Sequence, residues 1–141
     1  TPTFIYQAIK KLPLNLENKG IATRDFIYVN DIVNGLALCA TKGSAGETYN
    51  LASGVEASVL DLAKLVNKLT NNSTPIKFVP KRGWDHSGKR FGSTEKAKKD
   101  LGFEAETKLP EGIRQTVNWT LENLPMIEKC IRKHDEHFST P

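Results

Sequence analysis

Apolar residues recur every three or four positions over most of this chain, and short alternating runs separate those stretches. Phe4, Ile5, Ala8, Ile9 and Leu12 share one helical face, so the spacing predicts an amphipathic helix over 3–12 that Pro13 ends. Leu14 to Glu17 alternates and reads as a short strand. Ile32, Leu36, Cys39 and Ala40 form a helical stripe closed by Gly43. Glu47 to Ala52 reads as a buried strand, parallel to another, and Ser53-Gly54 ends it. Ser58 with Asp61 is a loose capping box for a helix whose Val59, Leu62, Ala63, Val66 and Leu69 are core positions. Ile76 to Val79 is a further strand, and residues 80–93 form a long polar, glycine-rich loop. A short helix follows over 94–101, stopped by Gly102. Pro110 opens a longer one with Ile113, Val117, Leu121 and Leu124 inward and Trp119 anchoring a flank, and Pro125 kinks or restarts it into a terminal helix over 126–134. Strands alternating with helices predict an α/β fold.

One stretch combines several signals within a dozen residues. Gly20 supplies a turn with positive φ, Phe26-Ile27-Tyr28-Val29 is a compact β-branched and aromatic run expected to form a strand, and Asn30 or Asp31 caps the helix after it. Arg24 falls where that turn becomes strand, a place from which a guanidinium can grip phosphate oxygens in fixed geometry. The competing reading pairs Arg24 with a nearby carboxylate such as Asp25.

Composition narrows the picture without changing it. A chain of 141 residues with 38% hydrophobic and 26% charged residues suits one globular domain. No apolar run is long enough to span a bilayer and no signal segment opens the chain, so a cytoplasmic protein is expected, with Cys39 and Cys130 as reduced core residues. The chain starts Thr1-Pro2 without Met, and is expected to be processed or a piece of something longer. The net charge of +4 is unevenly spread. Lys77, Lys81, Arg82, Lys89, Arg90, Lys96, Lys98 and Lys99 crowd one segment, whereas residues 43–63 contain no Lys or Arg. That pattern fits a phosphate-bearing ligand.

Two other constellations are set aside. Tyr6 and Lys10 match Tyr-x-x-x-Lys on one helical face, but nothing before them supplies the cofactor site that such proton transfer needs. His134 and His137 lack a third ligand, and a solvated tail accounts for them better than a metal does.

Thr23-Arg24-Asp25-Phe26-Ile27-Tyr28-Val29-Asn30-Asp31, Gly46 to Gly54, Arg82-Gly83-Trp84-Asp85 with Arg90-Phe91, Leu101-Gly102-Phe103, and Glu111-Gly112-Ile113 running to Trp119 occur in an order that resembles a known family. It is the extended short-chain dehydrogenases/reductases, and within them the C-terminal part of nucleotide-sugar epimerases and dehydratases of the UDP-glucose 4-epimerase kind. The resemblance implies that residues 1–141 form the substrate-binding region together with the last strand and helix of a Rossmann domain, whose NAD-binding N-terminal part is absent from this chain. It implies that Arg24 and Arg82 grip the diphosphate of a UDP- or dTDP-sugar, with Phe26 beside them. Asp85 would contact the ribose or the neighbouring arginine, Arg90 would be a second basic position, and Leu14 and Asn15 would line the base.

The parent reaction implied is hydride removal to NAD and its return through a 4-keto sugar. The glycine-rich dinucleotide turn is missing here, so this chain alone would hold substrate without performing that chemistry. Its partners would be the nucleotide sugar and the Rossmann domain, with neither nucleic acid nor membrane. An orphan parallel strand at 47–52 would leave the isolated chain marginally stable or self-associating, for instance as a homodimer. Two alternatives remain open from the residues: a stand-alone nucleotide-diphosphate module without catalysis, and, more weakly, a basic nucleic-acid binder stacking bases on Trp84 and Phe91.

Overall fold

A computed structural model describes residues 1–81, 83 and 88–138. The elements run α1 (Pro2–Ile9), β1 (Asn15–Glu17), β2 (Thr23–Asp25), α2 (Val29–Lys42), β3 (Glu56–Ser58), α3 (Val59–Leu69), β4 (Lys77–Val79), β5 (Lys89–Arg90), α4 (Glu95–Leu101), α5 (Leu109–Glu122) and α6 (Leu124–Phe138). The chain is thus mixed α/β, with helices dominating and strands of two or three residues. β1 pairs with β4 in parallel, and β2 lies at the centre of a second sheet, antiparallel to β3 and parallel to β5.

Two apolar clusters hold these elements. In the first, Ile5 and Ala8 of α1, Leu14 and Leu16 around β1, Leu62, Ala63 and Val66 of α3, and Ile113 and Val117 of α5 are all buried. The periodicity predicted these contacts, and Ser58 caps α3 as expected, its Oγ accepting from Asp61 N at 2.9 Å. The second cluster consists of Ala97, Leu101 and Phe103, covered by Ile27, Leu38, Cys39, Tyr49 and Leu51. Gly20 adopts φ of +71°, and a Cβ there would lie 2.7 Å from Leu16 Cδ2, so the turn into β2 needs glycine for space as well as for conformation.

Several expectations fail for identifiable reasons. Phe26 to Val29 is not a strand. The ladder ends at Asp25, after which Phe26 packs against the first cluster, Ile27 packs against the second, and Val29 already opens α2. The run splays between two cores instead of extending one sheet. Neither Asn30 nor Asp31 caps α2: Tyr28 holds that position, and the Asp31 carboxylate accepts from the backbone N–H of Glu106 at 3.3 Å and Thr107 at 3.1 Å. Glu47 to Ala52 pairs with no strand among the described residues. Side chains anchor it instead: Tyr49 and Leu51 enter the second cluster, and Lys96 Nζ donates to Thr48 O at 3.0 Å while lying 4.9 Å from the Tyr49 ring centre.

The expected inward stripe of α2 also differs. Ile32 and Cys39 are half-buried, but Leu36 is exposed, and with Val29 and Val33 it forms an apolar row at helical spacing, each side chain 58–60% exposed. Gly35 explains how α2 sits. A Cβ there would lie 2.9 Å from both Leu51 and Phe103, so that face of the helix is pressed against the second cluster while the row faces away. α1 ends at Ile9, short of Leu12, with Lys11 at positive φ before Pro13. Leu121 and Trp119 are exposed near the end of α5, and α6 restarts at Leu124. Cys130 is exposed on α6 and is not a core residue.

Two surface ion pairs tie distant parts of the chain. Lys10 Nζ donates to Glu128 Oε1 at 2.8 Å, joining the end of α1 to α6, and Lys96 pairs with Glu47 at 2.5 Å. Hydrogen bonds to these lysines hold the carboxyls of Glu128 and Glu47 below the usual 4.5, and the same bonds raise both lysines above 10.5. Because the folded carboxyl values are depressed, their contribution is present above pH 4.5 and lost as pH falls through the folded values; the lysine contribution is lost only above pH 10.5. Thermal denaturation followed by circular dichroism should therefore give a midpoint that falls below pH 4.5. In Glu47→Gln/Glu128→Gln that acid limb should flatten.

Candidate functional site

The central strand β2 organises the polar chemistry of the chain. Successive strand residues face opposite sides, and residues in register on neighbouring strands share a side. Arg24 is in register with Ala57 of β3 and with Arg90 of β5, so all three stand on one face of the sheet. Thr23, Ser58, Glu56 and Lys89 stand on the other. Two guanidinium groups are thereby brought onto adjacent strands, roughly 4.8 Å apart in backbone spacing. Like charges in register on neighbouring strands are destabilising unless an anionic group lies close to them.

Asp25 does not serve as the obvious counter-charge. Its Oδ1 accepts from Ser53 N at 2.8 Å and Ser53 Oγ at 2.5 Å, and its Oδ2 accepts from Gly54 N at 2.8 Å. This carboxylate holds the turn that leads into β3. Arg24 is half-buried, and its Nη1 donates to Thr23 O at 2.7 Å and to Gly88 O at 3.3 Å, which places the guanidinium at the β2–β5 junction. Arg90 is exposed.

A cavity of about 490 Å³ lies against Phe26, Val55 and Ala57 on one side and Ala105, Leu109 and Pro110 on the other. Ala57 places it on the same side of the sheet as the two arginines. Its far wall is the 105–110 segment, held to α2 by the Asp31 carboxylate. The aspartates at 25 and 31 therefore brace opposite walls. Neither was singled out for this role from the sequence. The available signal was an aspartate and a Ser-Gly turn, a combination in which a carboxylate commonly accepts turn N–H groups.

The remaining sequence-derived candidates are dispersed. Leu14 is fully buried in the first cluster, and Asn15 is exposed on β1. Arg82 and Asp85 lie outside the described residues. Lys10 of the Tyr-x-x-x-Lys match is engaged with Glu128. His134 is exposed, and the His137 side chain lies outside the described residues. Among the described residues no cluster of His, Cys, Asp and Glu could hold a metal, and no helix is long and apolar enough to cross a membrane.

Residues 2–116 match the family model described as GDP-mannose 4,6 dehydratase. The chain belongs to that family. It is 33% identical over 130 residues to a dTDP-glucose 4,6-dehydratase of Salmonella typhimurium, covering 86% of this chain and 36% of that protein. It superimposes on the Bordetella bronchiseptica enzyme WbmF bound to NADH with a TM-score of 0.88 and 53% identity, covering 99% of this chain and 41% of WbmF; WbmF is also known with NAD+ and UDP, matched at 0.87 and 51% identity. The UDP-glucose 4-epimerase of Thermotoga maritima, solved with UDP-glucose, matches at a TM-score of 0.82 with 29% identity, covering 86% of this chain and 39% of that one. The chain therefore spans about a third of the curated relative's length and about two-fifths of each of these structures. The similarity to extended short-chain dehydrogenases/reductases of the NAD-dependent epimerase/dehydratase group, expected from the motifs, is thus established, and the fold is that of their C-terminal part.

The Asp25 clamp makes a direct prediction. Asp25→Ala leaves the part-buried Ser53 N–H without its acceptor, at a cost of about 1–3 kcal/mol, while the exposed Gly54 N–H can turn to water. Urea denaturation of this variant should show a loss of about 1–3 kcal/mol in unfolding free energy.

Proposed function

We propose that this chain is the substrate-holding portion of an NAD-dependent nucleotide-sugar epimerase or dehydratase, and that Arg24 and Arg90 grip the diphosphate of a UDP- or dTDP-sugar. The observation that carries this reading is the register of β2 and β5, which puts the two arginines on one face of the sheet, the face whose Ala57 lines a cavity. Forked guanidinium donors match phosphate oxygens, and a diphosphate brings about two negative charges to offset their mutual repulsion. Phe26 and the apolar wall offer a surface for a ring, as ligand cavities commonly do. The family resemblance pairs Arg24 with Arg82 as the diphosphate grip, with Asp85 beside them and Arg90 as a second basic position, and Arg90 is proposed to share that grip. UDP and UDP-glucose in the two structural relatives support the ligand class.

The chain's own residues do not fit the dinucleotide. Its glycines are nowhere spaced as Gly-x-Gly-x-x-Gly or as Gly-x-x-Gly-x-x-Gly. NAD would be held by the part of the fold that this chain does not span. We place that part on the exposed apolar row of α2. Val29, Val33 and Leu36 are turned away from both cores, and 47–52, packed on the Gly35 face of the same helix, lacks a ladder partner among the described residues. The occupant is an NAD-binding α/β unit, because the aligned relative bound to NADH extends well beyond the 41% that this chain covers.

Calorimetric titration of the chain with UDP-glucose tests the clamp. Arg24→Ala and Arg90→Ala should each cost about 1.5–3 kcal/mol, roughly a ten- to hundredfold rise in Kd. Equal binding by wild type and both variants would remove the assignment. Size-exclusion chromatography of the chain mixed with the NAD-binding portion of the Bordetella relative tests the docking row. Val33→Glu/Leu36→Glu should abolish co-elution while leaving the circular dichroism of the chain unchanged, and undiminished co-elution would show that the row is not the interface.

A further inference from the structure

Glu56 belongs to none of the motifs that point to the arginine face, and it stands on the opposite side of the sheet. Its Oε1 accepts a hydrogen bond from Thr23 Oγ1 on the central strand, and the same oxygen lies 4.0 Å from Lys89 Nζ on the far strand. One carboxylate oxygen on β3 thus reaches across β2 to β5. We infer that Glu56 is a positioning residue that keeps β5, and with it Arg90, in register beside Arg24; the inference rests on the proposed diphosphate clamp.

The need for such a strap follows from the size and charge of β5. The strand is two residues long and carries Lys89 and Arg90, both exposed. Its backbone tie at this end is Thr23 N donating to Gly88 O at 3.0 Å, and Arg24 Nη1 adds a contact to the same oxygen at 3.3 Å. A two-residue edge strand has few ladder hydrogen bonds of its own to hold its register beside β2. Glu56 supplies attraction on the opposite face through Lys89. Thr23, lying between them, is locked by a charge-assisted hydrogen bond at the register position that also sets Arg24. The Glu56 side chain is 29% exposed, so water screens this charge less than it does the far more exposed Lys89.

The role separates cleanly from a simple charge effect. A carboxylate acting only through its field would oppose an incoming diphosphate, and removing it would tighten binding. A carboxylate that places Arg90 gives the reverse. Glu56→Gln should weaken UDP-glucose binding roughly fivefold by calorimetry, despite the gain in net positive charge. Thr23→Val should do the same, and Thr23→Ser, which keeps the hydroxyl, should retain wild-type affinity. Arg90→Ala should cost less in the Glu56→Gln background than in wild type, because the two substitutions act on one placement. In the ligand-free chain, amide exchange read by mass spectrometry should accelerate in the 88–90 segment of Glu56→Gln and stay unchanged in α3.

Tighter or unchanged binding in Glu56→Gln, or losses that add with Arg90→Ala, would overturn the inference. If wild type and Arg24→Ala bind UDP-glucose equally, the clamp itself fails, and exchange at 88–90 then decides by itself whether Glu56 holds β5. Unchanged exchange there rejects the strap.

Discussion

The Asp25 carboxylate takes hydrogen bonds from the backbone and hydroxyl of Ser53 and from the backbone of Gly54, and the geometry of the arginine face depends on it. An ionised carboxylate meeting several donors from one turn is strongly oriented. It fixes the approach of the 53–55 segment to β2, and therefore the antiparallel register that sets Ala57 opposite Arg24. The aspartate next to Arg24 in sequence is turned to structural use.

A second aspartate does related work between the two cores. Asp31 is 8% exposed and fastens the start of α2 to the segment before α5, which joins the second apolar cluster to the first. Buried carboxylates are costly unless donors surround them, and here backbone N–H groups supply that compensation. With one end of α2 fastened and Gly35 pressed against Leu51 and Phe103, the helix has little freedom to roll. The outward placement of Val29, Val33 and Leu36 is then a fixed feature of the fold and not a consequence of loose packing.

How far residues alone revealed this architecture depended on the range of the interactions involved. α3 and α5 were legible because helical periodicity is local, and every three- or four-residue return to the core leaves a mark on the sequence. The strands are two or three residues long, too short for alternation to show, and their partners lie far along the chain. Phe26 to Val29 had the right composition for a strand but divides between two cores, a choice that tertiary packing makes. β5 was hidden inside a stretch that read as loop. Arg24 could be singled out by its setting and by family resemblance. Its register with Arg90 could not, because it depends on a ladder closed between residues 64 positions apart, as the Arg24 contact to Gly88 illustrates. Leu14, expected to line the base by resemblance, is fully buried in the first cluster.

The crowding of cations between residues 77 and 99 bears on kinetics as well as on contact. Lys77, Lys81, Lys89 and Arg90 are exposed, whereas residues 43–63 contribute no basic side chain. Such a cluster raises the local positive potential, which reaches about a Debye length, near 8 Å at physiological ionic strength, beyond the surface. On the proposed clamp, encounter rate and residence time would be governed by different groups: the lysines would set how often an anion arrives, a contribution that fades with added salt, and Arg24 and Arg90 would set how long it stays.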